Sequence, residues 1–184
     1  MQSVNRLLVD SVHLEFDKLQ VLQSAFITAQ TGRVTGVLGS QAYCELFYYL
    51  AKPLGLETKI IAGRVKDLYG GIEGTKHAWL SVNVDGKDIL IDPTWGAGYV
   101  KGDTFVRNDH DMSWFDIDPY WLIFTHFPTH KDEQFIAEPI KWKDFLRLPS
   151  LYPSSTEYGW DGREMFTQIL DGSIQSLPQI FEQY

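Results

Sequence analysis

The stretch from His77 to Trp95 constrains this chain more than any other. Two alternating apolar runs, His77-Ala78-Trp79-Leu80-Ser81-Val82-Asn83-Val84 and Lys87-Asp88-Ile89-Leu90-Ile91-Asp92-Pro93-Thr94-Trp95, flank Asp85-Gly86. An Asp-Gly pair between such runs predicts a β-hairpin with a two-residue turn. With that pair at the tip, Val84 faces Lys87, Trp79 faces Asp92 and His77 faces Thr94. Side chains alternate with a period of two, so His77, Trp79, Asp92 and Thr94 share one face. His77 and Asp92 become diagonal neighbours roughly 7–8 Å apart at the backbone, a gap that polar side chains bridge. A carboxylate there accepts from imidazole Nδ1, which fixes the tautomer and leaves Nε2 as a base. The plainer alternative is a half-buried hairpin with an incidental histidine.

A His-Asp pair needs a nucleophile, and an upstream segment offers one. Thr35-Gly36-Val37-Leu38-Gly39-Ser40 is small, polar and turn-like. The following Gln41 to Ala51 places apolar residues at helical spacing, with Pro53 and Gly55 to stop the helix. Ser40 therefore stands where a helix begins. A serine there commonly caps the helix. The same place is where backbone N–H groups and the helix dipole stabilise a thiolate or an oxyanion.

These residues resemble the transglutaminase-like superfamily. Gly36-Val37, Tyr43, Leu46-Phe47, Leu50 and Leu54-Gly55 look like its first motif, His77-Ala78-Trp79 its second and Asp92-Pro93-Thr94-Trp95 its third. Gly96-Ala97-Gly98 and His126-Phe127-Pro128 extend the likeness toward its kyphoscoliosis-peptidase-like branch, over about residues 30–150. The resemblance implies an α+β, papain-like core, with the nucleophile helix packed on an antiparallel β-sheet that carries His and Asp. It implies acyl transfer from a carboxamide or peptide bond, to water or to an amine. The roles would fall to Ser40, His77 and Asp92, with Trp79 and Trp95 walling the cleft. No metal and no cofactor is required, although some animal members use calcium. The expected partner is a protein or peptide substrate.

The chain departs from the family at one position. The nucleophile there is a cysteine, and registration on Tyr43 and Leu54-Gly55 places it at Ser40. The chain's one cysteine, Cys44, falls a turn further along, on the same helix face and deeper in. Such a thiol lacks the electropositive, exposed setting of a reactive cysteine, so Cys44 is read as core. Ser40 is then a natural replacement, an engineered one or the mark of a retired site. Two functions stay open: an acyl-transfer enzyme, and a pseudoenzyme that keeps the fold as a protein-binding module.

Composition narrows the class without choosing between these. A chain of 184 residues suits one domain with a sizeable core. The net charge of -8 argues against a nucleic-acid or anionic-membrane surface. One cysteine excludes an intramolecular disulfide and a Cys-rich metal site. No apolar run reaches transmembrane length and no signal-peptide pattern is read. The expectation is a soluble chain, cytoplasmic or secreted.

The rest of the chain is organised around these motifs. Residues 1–30 predict helices ahead of the core, with a loop at Thr31-Gly32-Arg33. Glu57 to Val65 reads as a strand and Lys66 to Lys76, with three glycines, as a mobile loop. Phe105-Val106 reads as a short strand, and Asp109-His110-Asp111 as a solvated loop. Asp116-Ile117-Asp118-Pro119 starts a short helix, His126-Phe127-Pro128 packs against the sheet, and Asp144 to Pro149 holds another helical turn. The domain is expected over residues 1–150. Residues 151–184 form an extension with a last amphipathic helix around Phe166, Ile169 and Leu170, and the start of a connection to a further domain.

Overall fold

The computed structural model describes residue 23 and residues 40–67, 69–74, 76–101, 104–108 and 111–175. The expected N-terminal helices, the turn before Ser40, Asp109-His110 and the stretch around Pro178 lie outside these residues. The fold is mixed α+β, compatible with the papain-like core expected. Strands β1 (Glu57–Val65), β2 (His77–Val84), β3 (Lys87–Ile91) and β6 (His126–Pro128) form an antiparallel sheet in the order β3-β2-β1-β6. A separate ribbon pairs β4 (Gly98–Lys101) with β5 (Thr104–Arg107). No helix among the described residues is long and apolar enough to cross a membrane.

Two compact units share the chain. The first takes the described residues of Met1–Ile60 and Trp79–Asp116, the second those of Ile61–Ala78 and Ile117–Tyr184. In the first, helix α1 (Ser40–Ala51) buries Tyr43, Cys44, Phe47 and Ala51, one stripe at helical spacing. It ends in a 3-10 turn, Lys52–Leu54, where Pro53 blocks continuation and Gly55 takes φ 69. Helix α1 packs on the short helix α2 (Pro93–Ala97).

The hairpin forms in the expected register, from Val84↔Lys87 to Leu80↔Ile91. Asp85 and Gly86 take φ 51 and 91, as the two-residue turn demands. Asn83 Oδ1 accepts the Gly86 N–H at 3.0 Å and steadies it. Beyond Ile91 the expected pairing fails. Thr94 is a residue of α2, not the strand partner of His77. Pro93 lacks the donor a ladder needs and has a φ suited to a first helical turn, while Asp92 caps that turn. Residues His77 to Val82 of β2 are all buried, so both faces of this strand are covered.

In the second unit β6 pairs with β1 through Gly63↔Pro128, Arg64↔Phe127 and Val65↔His126. His126-Phe127-Pro128 is thus a strand of the sheet, where the sequence reading had it packing against one. The presumed mobile loop after Val65 contains a hydrogen-bonded turn. Asp67 Oδ1 accepts from the Tyr69 and Gly71 backbone N–H groups, each at 2.8 Å, and Lys66 bridges Ile72. Helix α3 (Pro119–Leu122) starts where expected and is capped by Asp118, and α4 (Trp142–Phe145) begins two residues before the stretch read as helical.

Helix α5 (Gly162–Asp171) packs on α3, with Phe166 5.4 Å from the Tyr120 ring and 6.5 Å from Phe124. Gly162 lies so close to Trp121 that a Cβ would meet the indole at 2.9 Å. Gly162→Ala should therefore destabilise the protein by about 1–3 kcal/mol despite alanine's better helix propensity. Denaturant unfolding checks this. An unchanged or raised midpoint would show that the indole shifts at no cost.

Candidate active site

Ser40 is the first residue of α1 and is half-buried. The start of a helix leaves backbone N–H groups without intrahelical acceptors, which makes it a favourable place for developing negative charge. Cys44 sits one turn further along and is wholly buried. Burial pushes its thiol far above the ordinary range, and the negative charges of Asp92 and then Glu45 push it further. Cys44 is therefore a protonated core thiol, as expected. It should react slowly with a thiol reagent in the native protein near neutral pH. Rapid stoichiometric labelling would restore it as a nucleophile.

Asp92 has no exposed surface. Its Oδ1 accepts the Thr94 and Trp95 backbone N–H groups at 2.9 and 3.0 Å. These bonds stabilise the ionised form, and burial opposes it. Trp79, on β2, is wholly buried. Trp95 is half-buried and meets Trp114 edge to face at 4.8 Å. Of the two aromatic residues proposed for a cleft, only Trp95 has a surface to offer solvent.

His77 opens β2 and is 7% exposed. In the second unit its ring meets His126 edge to face, with centroids 5.4 Å apart. His126 is 1% exposed, and its Nδ1 lies 2.8 Å from Thr125 Oγ1. The sequence reading gave His126 no part in the site. His126-Phe127-Pro128 entered the family likeness, but with Asp92 already assigned to His77, nothing in the sequence placed a residue 49 positions away beside that ring.

No family model matches the chain. It is 28% identical to mouse Kyphoscoliosis peptidase over 161 residues, 79% of this chain and 23% of that protein. With the human Kyphoscoliosis peptidase it shares 27% over 148 residues, 72% and 21% of the two chains. Cytokinesis protein 3 of Saccharomyces cerevisiae is 30% identical over 115 residues, 59% of this chain and 13% of that protein. The chain thus spans less than a quarter of the length of each relative. Over about three quarters of its own length, it is a distant relative of Kyphoscoliosis peptidase, a transglutaminase-like protein.

Proposed function

We propose that this chain is a transglutaminase-like acyl-transfer module acting on a carboxamide or peptide carbonyl of a protein or peptide. Ser40 is the nucleophile, His77 the general base and acid, and Asp92 the carboxylate that orients His77. The observation that supports this most is the depth of Asp92, which is wholly buried while Oδ1 alone takes both capping bonds. A carboxylate so deep and anchored to the backbone is held in one orientation, as an orienting role requires. Also in support are the chain order of the three residues and the distant relation to a protein named as a peptidase.

The reaction follows from these roles. Ser40 Oγ attacks the carbonyl carbon, and its proton passes to His77 Nε2. Negative charge develops on the carbonyl oxygen beside the N-terminus of α1, where backbone N–H groups favour it. Collapse breaks the C–N bond, and the leaving amine or ammonia takes the proton from His77. The acyl group is left as an ester on Ser40. Water or an amine then attacks the ester, giving up a proton to His77, which returns it to Ser40 Oγ. Trp79 and Trp95 serve as walls of the cleft.

A protein-binding module without turnover is the second reading, and the serine itself favours it. A hydroxyl is far less acidic than a thiol, and a Cys-type site is built around a thiolate. An acyl trap separates the two. An activated peptidyl ester should acylate Ser40 stoichiometrically, read as an intact-mass adduct that peptide mapping places on Ser40. His77→Ala and Asp92→Ala should each abolish it. No adduct in folded protein, or one indifferent to His77, favours the binding module.

A further inference from the structure

Two buried imidazoles meet in the second unit, and the reaction as drawn uses one of them. The second is built in more firmly than a filler residue requires. His126 lies on β6, held in register by the pair with Val65. Its Nδ1 is tied to Thr125 Oγ1 at 2.8 Å. Thr125 is wholly buried and is itself fixed. Its carbonyl accepts from Lys66 N at 2.9 Å, its N–H donates to Leu122 O at 3.1 Å, and its hydroxyl lies 3.4 Å from that same carbonyl. The hydroxyl has one proton. Given to Leu122 O, it makes Nδ1 of His126 the donor; given to Nδ1, it leaves the proton on Nε2. Either way the contact at Nδ1 holds the His126 ring in one orientation.

We propose that His126 is a positioning residue for His77. The inference rests on the reading of His77 as the base. A histidine ring turns about its outer torsion between two broad, roughly equivalent wells, and a half-turn puts Cδ2 in the place of Nδ1 and Cε1 in the place of Nε2. For a base that half-turn is ruinous, because one nitrogen must face the carboxylate and the other the nucleophile, and carbons would take both places. The His126 ring stands against His77 at an interplanar angle of 66° and 5.4 Å between centroids. A rigid aromatic edge-to-face neighbour at that distance restricts the half-turn. The role needs the shape of a ring at position 126; Thr125 keeps that ring from turning in its turn.

The test needs a readout that does not depend on turnover. In the Ser40 protein, ¹⁵N resonances of the His77 ring should show one tautomer. His126→Ala should replace that pattern with averaged shifts, and His126→Phe, which keeps a ring, should restore it. In Ser40→Cys protein, His126→Ala should lower kcat about tenfold to a hundredfold with KM nearly unchanged, and His126→Phe should recover most of the loss. Unaltered His77 resonances in folded His126→Ala protein overturn the proposal. So does His126→Phe as impaired as His126→Ala, since a nitrogen would then be what matters. If the resonances respond as expected but Ser40→Cys protein shows no turnover, His126 positions His77 and the enzymatic reading is what fails. Near-UV circular dichroism confirms that each variant is folded.

Discussion

Ser40→Cys should raise the rate of acyl transfer by several orders of magnitude with little change in apparent affinity. The hydroxyl of Ser40 must lose its proton during attack, whereas a cysteine beside an imidazole and a helix N-terminus is held as the thiolate beforehand. Binding uses the walls of the cleft and not the nucleophilic atom, so KM should move little. Loss of the nucleophile from a triad costs on the order of 10⁶ in kcat, and the substitution should recover much of that. His77→Ala in the same background should remove most of the gain. The assay is a panel of peptide and glutamine-donor substrates, with an amine acceptor and water both available. Folded Ser40→Cys protein that stays silent across the panel leaves the binding module as the function.

The second large effect concerns Lys66, which is 1% exposed. Its ammonium donates to Phe145 O at 2.6 Å and to Leu148 O, and sits 4.2 Å over the Phe145 ring. Lys66→Ala would leave a cavity, strip Leu148 O of this donor and remove the cation from the end of α4. The expected cost is about 3–5 kcal/mol. Burial lowers the Lys66 pKa from 10.5 to about 8. Between those values the unfolded chain binds more protons than the folded one, so this group makes stability rise with pH. Below about pH 8 the folded protein bears the cost of the buried charge. Above 10.5 it is relieved of it, a difference of up to about 3 kcal/mol. The neutral amine keeps two N–H donors for the two carbonyls. Lys66→Met preserves most of the volume and does not titrate. The stability of wild type relative to Lys66→Met, measured by denaturant unfolding, should therefore rise from pH 7.5 to pH 10. A constant gap would mean that Lys66 keeps an ordinary pKa.

The hairpin was legible because its signal is local: Asp85-Gly86 sets the turn, and the turn sets the register. The start of α1 at Ser40 was legible for the same reason. Asp92-Pro93 shows where such reasoning slips. An Asp-Pro pair suits a helix start, as at Asp118-Pro119; Asp92-Pro93 was read as strand because it continued an apolar run. The cap won, since proline contributes no ladder donor. Of the ribbon of β4 and β5, only the β5 side was read as strand, at Phe105-Val106, and glycines at 98 and 102 weaken the strand signal of β4. Lys66 and His126 were illegible in a stronger sense. Lys66 is satisfied by carbonyls 79 and 82 residues away, and His126 meets His77 only through tertiary packing. No local pattern encodes a partner at that distance.

The account stands or falls on whether position 40 shares a site with His77, and the pH dependence of alkylation measures that directly. Ser40→Cys protein is treated with iodoacetamide across pH 4 to 10, with buried Cys44 as the silent internal control. The account predicts that Cys44 stays unmodified and that position 40 reacts with an apparent pKa well below the ordinary thiol value of about 8.5. It predicts that His77→Ala returns that pKa to the ordinary range. An apparent pKa near 8.5 in Ser40→Cys protein, unmoved by His77→Ala, would contradict it.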